Sequence, residues 1–114
     1  NNEDINVFGD GNQIRTFCDI RDAINFINRL IKENVYKGEI YNVGNCKNII
    51  SIKELAKKCI EQTKSNVKIK YKNYKDIFSD NYEDIQKRIP NCKKMNNIMT
   101  AQYSIEDIIN SMYE

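Results

Sequence analysis

Val7-Phe8-Gly9-Asp10-Gly11-Asn12-Gln13-Ile14-Arg15-Thr16-Phe17-Cys18-Asp19-Ile20-Arg21-Asp22 is the stretch on which the reading of this chain turns. Ile5 to Phe8 reads as a short strand that stops at Gly9-Asp10-Gly11, because glycine enters positive φ cheaply. Ile14 to Ile20 is a second extended piece with β-favouring Thr16 and Phe17. Gly9-x-Gly11 invites a dinucleotide-binding reading and fails it. Ile14 stands where the third glycine would fall, and Arg15 follows in place of a helix. Arginine at such a point suits a phosphate, since its planar fork of donors can engage two oxygens together.

Downstream of Asp22 the period changes. Ala23, Ile24, Ile27, Leu30 and Ile31 recur at helical spacing, with Asp19 or Asp22 as N-cap. Glu39 to Val43 reads as a buried strand ending at Gly44. Ser51-Ile52-Lys53-Glu54 is a capping box opening a helix with Ile52, Leu55, Ala56, Cys59 and Ile60 on one face. Val67, Ile69 and Tyr71 alternate with lysines, as in a strand with one wet face. Residues 73–88 form a long polar and aromatic loop, the kind that carries function in compact domains. Pro90 holds Ile89 extended, and Asn91 caps a short helix carrying Cys92, Met95 and Met99. Ser104 opens a last helix with Ile105, Ile108, Ile109 and Met112 on one face.

The expectation is an α/β fold in one domain, residues 1–114, with few short strands and about four helices. Such a sheet is too small to be self-sufficient, so its apolar faces expect another layer. A net charge of +2 gives no ground for a nucleic-acid or membrane partner. No apolar run approaches the roughly 18 residues of a membrane span. With no histidine, the chain lacks His-based triads and most catalytic metal sites, and no metal site is expected. Cys18, Cys46, Cys59 and Cys92 are scattered and read as reduced thiols in a cytoplasmic protein.

Four motifs in order carry a resemblance that runs from Val7 to Ile109. Gly9 to Phe17 resembles G-D-G-x-Q-x-R-x-F, and Asp22 falls where that family opens a helix. Gly38 to Gly44 is similar to G-x-x-Y-N-[VIL]-G, and Ile52 to Ala56 to the helix after it. Asp84 to Asn91 resembles D-P-x-x-R-x-P-D, and the last helix loosely matches S-L-x-E-G-I. Together these resemble the C-terminal, substrate-binding lobe of extended short-chain dehydrogenases/reductases. That is the NAD-dependent epimerase/dehydratase family, nearest to UDP-glucuronate decarboxylase-like enzymes. The sequence departs from the pattern at Asp19 (commonly aromatic), Ile85 (proline), Asn91 (aspartate) and Ile98-Met99-Thr100 (L-G-W).

The resemblance implies that Arg15 and Arg88 clamp the diphosphate of a nucleotide sugar, with a UDP-sugar as the first choice. Gln13 would orient the nucleotide or phosphate, and Val7 and Phe8 would line the base pocket. Asp22 and Asn42 would be structural. The cofactor turn and catalytic tyrosine-lysine pair belong to an N-terminal Rossmann domain absent from this chain. NAD is therefore expected in the full-length enzyme, a homodimer with C4 redox chemistry, with no cofactor and no catalysis in this fragment. An excised domain is the expected origin. Tyr71-x-x-x-Lys75 spells the family's catalytic pair but lies at a strand end, without the helical turn that pairing needs. Two other functions compete. One is a non-catalytic scaffold; the other is a nucleic-acid module using Lys64 to Lys75 with Tyr71 and Tyr74, which the nearby acids oppose.

Overall fold

The computed structural model describes residues 3–35, 37–79 and 82–113. Asn1 and Asn2 of the polar start, and two residues in the middle of the 73–88 loop, lie outside them. Within the described residues the order is β1 (Ile5–Phe8), β2 (Ile14–Thr16), α1 (Ile20–Glu33), β3 (Ile49–Ser51), α2 (Ile52–Thr63), β4 (Ile69–Lys72), α3 (Lys93–Asn96) and α4 (Ile105–Tyr113). A single 3-10 turn, Tyr74–Asp76, follows β4. This is the α/β class with few short strands and four helices. The strands form two separate pairs: β1 lies parallel to β4, and β2 antiparallel to β3.

Two small cores hold the body together. Phe26, Met95 and Ala101 form one, with Leu30, Tyr41, Ile98 and Met99 around them. Ile50, Ile105 and Ile109 form the other, backed by Phe17, Leu55 and Cys59. Each buried Phe, Ile or Met contributes on the order of 1.5–3 kcal/mol. The body is thin, 47 × 37 × 19 Å, with a Cα radius of gyration of 17.0 Å. A self-contained domain of this length would have about 13 Å. The shape is that of a slab with uncovered faces.

Several local expectations hold. Asp19 is the N-cap of α1, accepting from the Arg21 N–H. Asp19 also pairs with the Arg21 guanidinium at 2.7 Å, which holds its carboxyl below the usual carboxylate range. An acid in place of the usual aromatic residue therefore works as a cap. The capping box is complete, with Ser51 accepting from the Glu54 N–H and the Glu54 carboxylate accepting from Ser51. Asp22 is structural by another route. It is fully buried, and its carboxylate accepts from the Gln102 and Tyr103 N–H groups at 2.9 and 3.0 Å.

Four expectations need correction. Glu39 to Val43 is not a buried strand; it pairs with no strand among the described residues, and Ile40 is 86% exposed. A strand needs a neighbour for its backbone groups, and an apolar pattern alone cannot supply one. The buried side of α1 is also different. Asp22 and Phe26 face inward, while Ile20, Ile24, Ile27 and Ile31 form an exposed stripe about three turns long. The helix carries two apolar stripes, and periodicity cannot say which one this chain covers. The last helix likewise leaves Met112 exposed, because α4 buries only Ile105 and Ile109. Finally, the cysteines are not all free: Cys46 and Cys92 form a disulfide, while Cys18 and Cys59 remain thiols. The two partners are 46 residues apart, so only the tertiary fold brings them together.

Candidate diphosphate site

The turn after β1 is built by its glycines. Gly9 and Gly11 have φ of +69° and +74°, and the Asp10 carboxylate between them accepts from the Asn12 N–H at 2.9 Å. The turn is seated on the start of α2, where the Lys53 N–H donates to Gly11 O and the Ile52 N–H to Gln13 O. Gln13 is therefore only 7% exposed. Its amide donates to Phe8 O at 3.2 Å and to the Tyr74 hydroxyl at 3.0 Å.

The Tyr74 hydroxyl donates in turn to Asp84 Oδ2 at 2.8 Å, and the other Asp84 oxygen accepts from Arg15 Nη2 at 2.8 Å. Gln13, Tyr74, Asp84 and Arg15 thus form one hydrogen-bonded row. Sequence reasoning named Gln13 and Arg15, quoted Asp84 without a role, and missed Tyr74 as a member. Tyr74 also crowds the turn, since a Cβ at Gly9 would lie 2.7 Å from its ring. That contact joins residues far apart in sequence and is invisible without the fold.

Burial, with Asp84 as hydrogen-bond acceptor, pushes the Tyr74 phenol up to about 12. A phenol whose folded pKa is raised contributes stability in full below its unfolded value near 10, and loses it as the pH climbs through about 12. An ultraviolet titration should therefore show a late phenolate step near 12 that disappears in Tyr74→Phe. A late step unchanged in that variant would show that another tyrosine produces it.

Arg15 and Arg88 come together through one carbonyl. Ile14 O accepts from Arg15 Nη1 at 2.8 Å and from the Arg88 N–H at 3.0 Å, while the Ile14 N–H donates to Gln86 O at 2.7 Å. The segment carrying Arg88 therefore runs parallel beside Ile14, with a bridge from Ile14 to Lys87. Arg15 is mostly covered and paired with Asp84. Arg88 is exposed and, among the described residues, takes no carboxylate.

Phe8 lies at the edge of an aromatic group, 6.3 Å from Tyr74 and 5.8 Å from Phe78 between ring centroids. Phe78 and Tyr82 stack at 4.5 Å, both partly exposed. Val7 is 1% exposed and faces the core, packed against the turn. It presents no surface of its own. A cleft lined by Ile40, Asn42, Asn91, Lys93, Lys94 and Asn97 contains none of these residues. It runs along the uncovered 39–43 segment and is better read as an open seam than as a site.

The Gly9–Gly11 turn leads into β2, whereas the dinucleotide fingerprint opens a helix. The Tyr71-x-x-x-Lys75 pair is likewise not catalytic in geometry, since Tyr71 lies within β4 and Lys75 in the 3-10 turn. Among the described residues no helix is long and apolar enough to cross a membrane.

Residues 1–44 match the model of the NAD dependent epimerase/dehydratase family. The chain is 32% identical over 93 residues to a UDP-N-acetyl-alpha-D-glucosaminuronate decarboxylase of Bacillus cytotoxicus. The match spans 82% of this chain and 28% of that enzyme. Among solved structures, Pal from Bacillus thuringiensis is similar at 28% identity and a TM-score of 0.75, over 96% of this chain and 33% of that one. The UDP-glucuronic acid 4-epimerase of Bacillus cereus shares the fold at a TM-score of 0.78 and 18% identity. There the match spans 96% of this chain and 34% of the other, which was solved with a UDP-fluorosugar and NAD. This chain thus spans about a third of the length of the proteins it resembles.

Proposed function

We propose that this chain, which belongs to the NAD-dependent epimerase/dehydratase family, is the substrate-binding lobe that holds the diphosphate of a nucleotide sugar between Arg15 and Arg88. The observation that carries this reading is the shared Ile14 carbonyl. It sets the Arg15 guanidinium and the Arg88 backbone on neighbouring extended segments. Guanidiniums drawn from two neighbouring segments match a diphosphate in charge and can each engage a pair of its oxygens. Asp84 keeps Arg15 in position until a more highly charged anion arrives, and Gln13 fixes the other end of the same row. Phe8 lies with the half-exposed Phe78 and Tyr82 where the base would lie. A UDP-sugar is the first choice, since the relatives named above include enzymes of UDP-sugars.

Any redox chemistry on the sugar belongs to a companion Rossmann region, N-terminal to this lobe in the whole enzyme, with its own NAD. The exposed Ile20, Ile24, Ile27 and Ile31 stripe and the unpaired 39–43 segment support such a companion layer. We place the whole enzyme in the cytoplasm as a homodimer. The nucleic-acid reading loses an aromatic residue it needs, because Tyr74 is spent inside the Gln13–Asp84 row, and Lys70 is paired with Asp4 at 2.8 Å.

Calorimetry with UDP, TDP, GDP and CDP tests the proposal, on this chain and on a longer protein that includes the companion region. UDP should bind, and Arg88→Ala should weaken it by about 10- to 100-fold, the range for losing a charge-assisted hydrogen bond. Arg15→Ala should weaken it comparably. Absence of binding by every diphosphate to both proteins would overturn the reading.

A further inference from the structure

We propose that Cys46 and Cys92 are a reversible thiol–disulfide pair that sets the affinity of the diphosphate site by anchoring the segment carrying Arg88. The inference rests on the diphosphate reading above and adds its regulation. Arg88 is held at one end by the Ile14 bridge, and Cys92 lies four residues further on. The other partner, Cys46, sits in a loop that is already fixed. Asn45 and Asn48 side chains both donate to Tyr103 O at 3.0 Å, and Asn48 also donates to Phe17 O. The bond therefore ties the Arg88 arm covalently to that loop, in addition to the Ile14 bridge, the seat of Pro90 on Gly44 and the burial of Met95, and reduction releases the covalent tie.

The seam is shaped for this bond. The two Cα atoms are 6.3 Å apart, inside the range a disulfide spans without backbone movement. Pro90 O lies 3.0 Å from the Cys46 sulfur and 3.9 Å from that of Cys92. Gly44 packs so closely that a Cβ there would be 2.9 Å from the Pro90 ring. Cys46 is half-buried and reachable, while Cys92 is 3% exposed. Cys18 and Cys59 are different, since burial pushes both thiols up and away from reactivity.

The oxidant is a small-molecule disulfide. The Cys46 thiolate attacks it, forming a mixed disulfide and releasing one small thiol. The Cys92 thiolate then displaces the second small thiol and closes the bond, so two protein thiols are oxidised as one disulfide is reduced. A small dithiol reverses the sequence.

The test is a UDP titration of the chain after equilibration with oxidised glutathione and after reduction with dithiothreitol, with free thiols counted in each sample. The count should be two after oxidation and four after reduction, and the oxidised form should bind UDP about tenfold more tightly, because less ordering of the arm remains to be done on binding. Cys46→Ser should bind at the reduced level whatever the treatment, and Cys18→Ser should keep the full response. A thiol count that stays at four under oxidised glutathione overturns the proposal, as does equal affinity of the two forms. If the count changes but neither form binds UDP, the diphosphate reading itself is what fails.

Discussion

Asp22→Ala should cost about 3 kcal/mol of stability, because two hydrogen bonds to a carboxylate are lost and two N–H groups are left without an acceptor. Asp22 is 0% exposed and is what fastens the Gln102–Tyr103 segment to α1. That segment also carries Ala101, a member of the Phe26 core, and Tyr103 O, which holds Asn45 and Asn48. One side chain thus links a helix, a core and the wall behind Cys46. For a chain of this size the midpoint of thermal unfolding should fall by roughly 15 °C, read by circular dichroism. Asp22→Asn keeps one acceptor oxygen and should cost about half as much. A loss below about 1 kcal/mol in the alanine variant would mean that water replaces the carboxylate and that the link is not structural.

The second large effect belongs to Gly11. A Cβ there would lie 2.9 Å from both Lys53 Cβ and Val7 Cγ1, and 3.3 Å from Lys53 Cα, in a residue with φ of +74°. The left-handed backbone costs about 1–2 kcal/mol in a non-glycine residue, and forced overpacking adds about 1–3 kcal/mol. Gly11→Ala should therefore lose about 2–5 kcal/mol in chemical denaturation. Gly38 supplies the control, since its φ is +70° but no atom of the described residues lies within 4 Å of its added Cβ. Gly38→Ala should lose only about 1 kcal/mol, so the difference isolates the contact with β1 and α2. Because the same turn carries Gln13 and Arg15 into place, Gly11→Ala should also weaken UDP binding, and Gly38→Ala should not. Equal losses in the two variants would show that backbone strain alone governs both.

Much of the local structure is legible in the sequence because its causes are local. The Ser51–Glu54 capping box and the Gly9–Gly11 turn each need only neighbouring residues to be satisfied. Ile49–Ser51 was harder to see, since three residues before a capping box show no period and the strand exists by pairing with β2. Glu39 to Val43 failed in the opposite sense, having the pattern of a strand and no partner among the described residues. The same distinction divides the site. Gln13 and Arg15 stand on a motif beside a turn, whereas Tyr74 enters only because its ring crosses 61 residues to meet Gln13.

By itself, then, the sequence determined the Gly-Asp-Gly turn and the cap of α2, narrowed the cap of α1 to Asp19 or Asp22, and offered the two arginines as candidates. These are short-range matters of φ, hydrogen-bonding reach and period. Only the tertiary structure decided that Ile14 O joins the two arginine arms, that Asp84 holds Arg15 while Arg88 stays exposed, and that Cys46 meets Cys92. It also decided which stripe of α1 is buried and which is left bare. Those outcomes depend on what packs against what, and a chain's own periodicity holds no record of its distant neighbours.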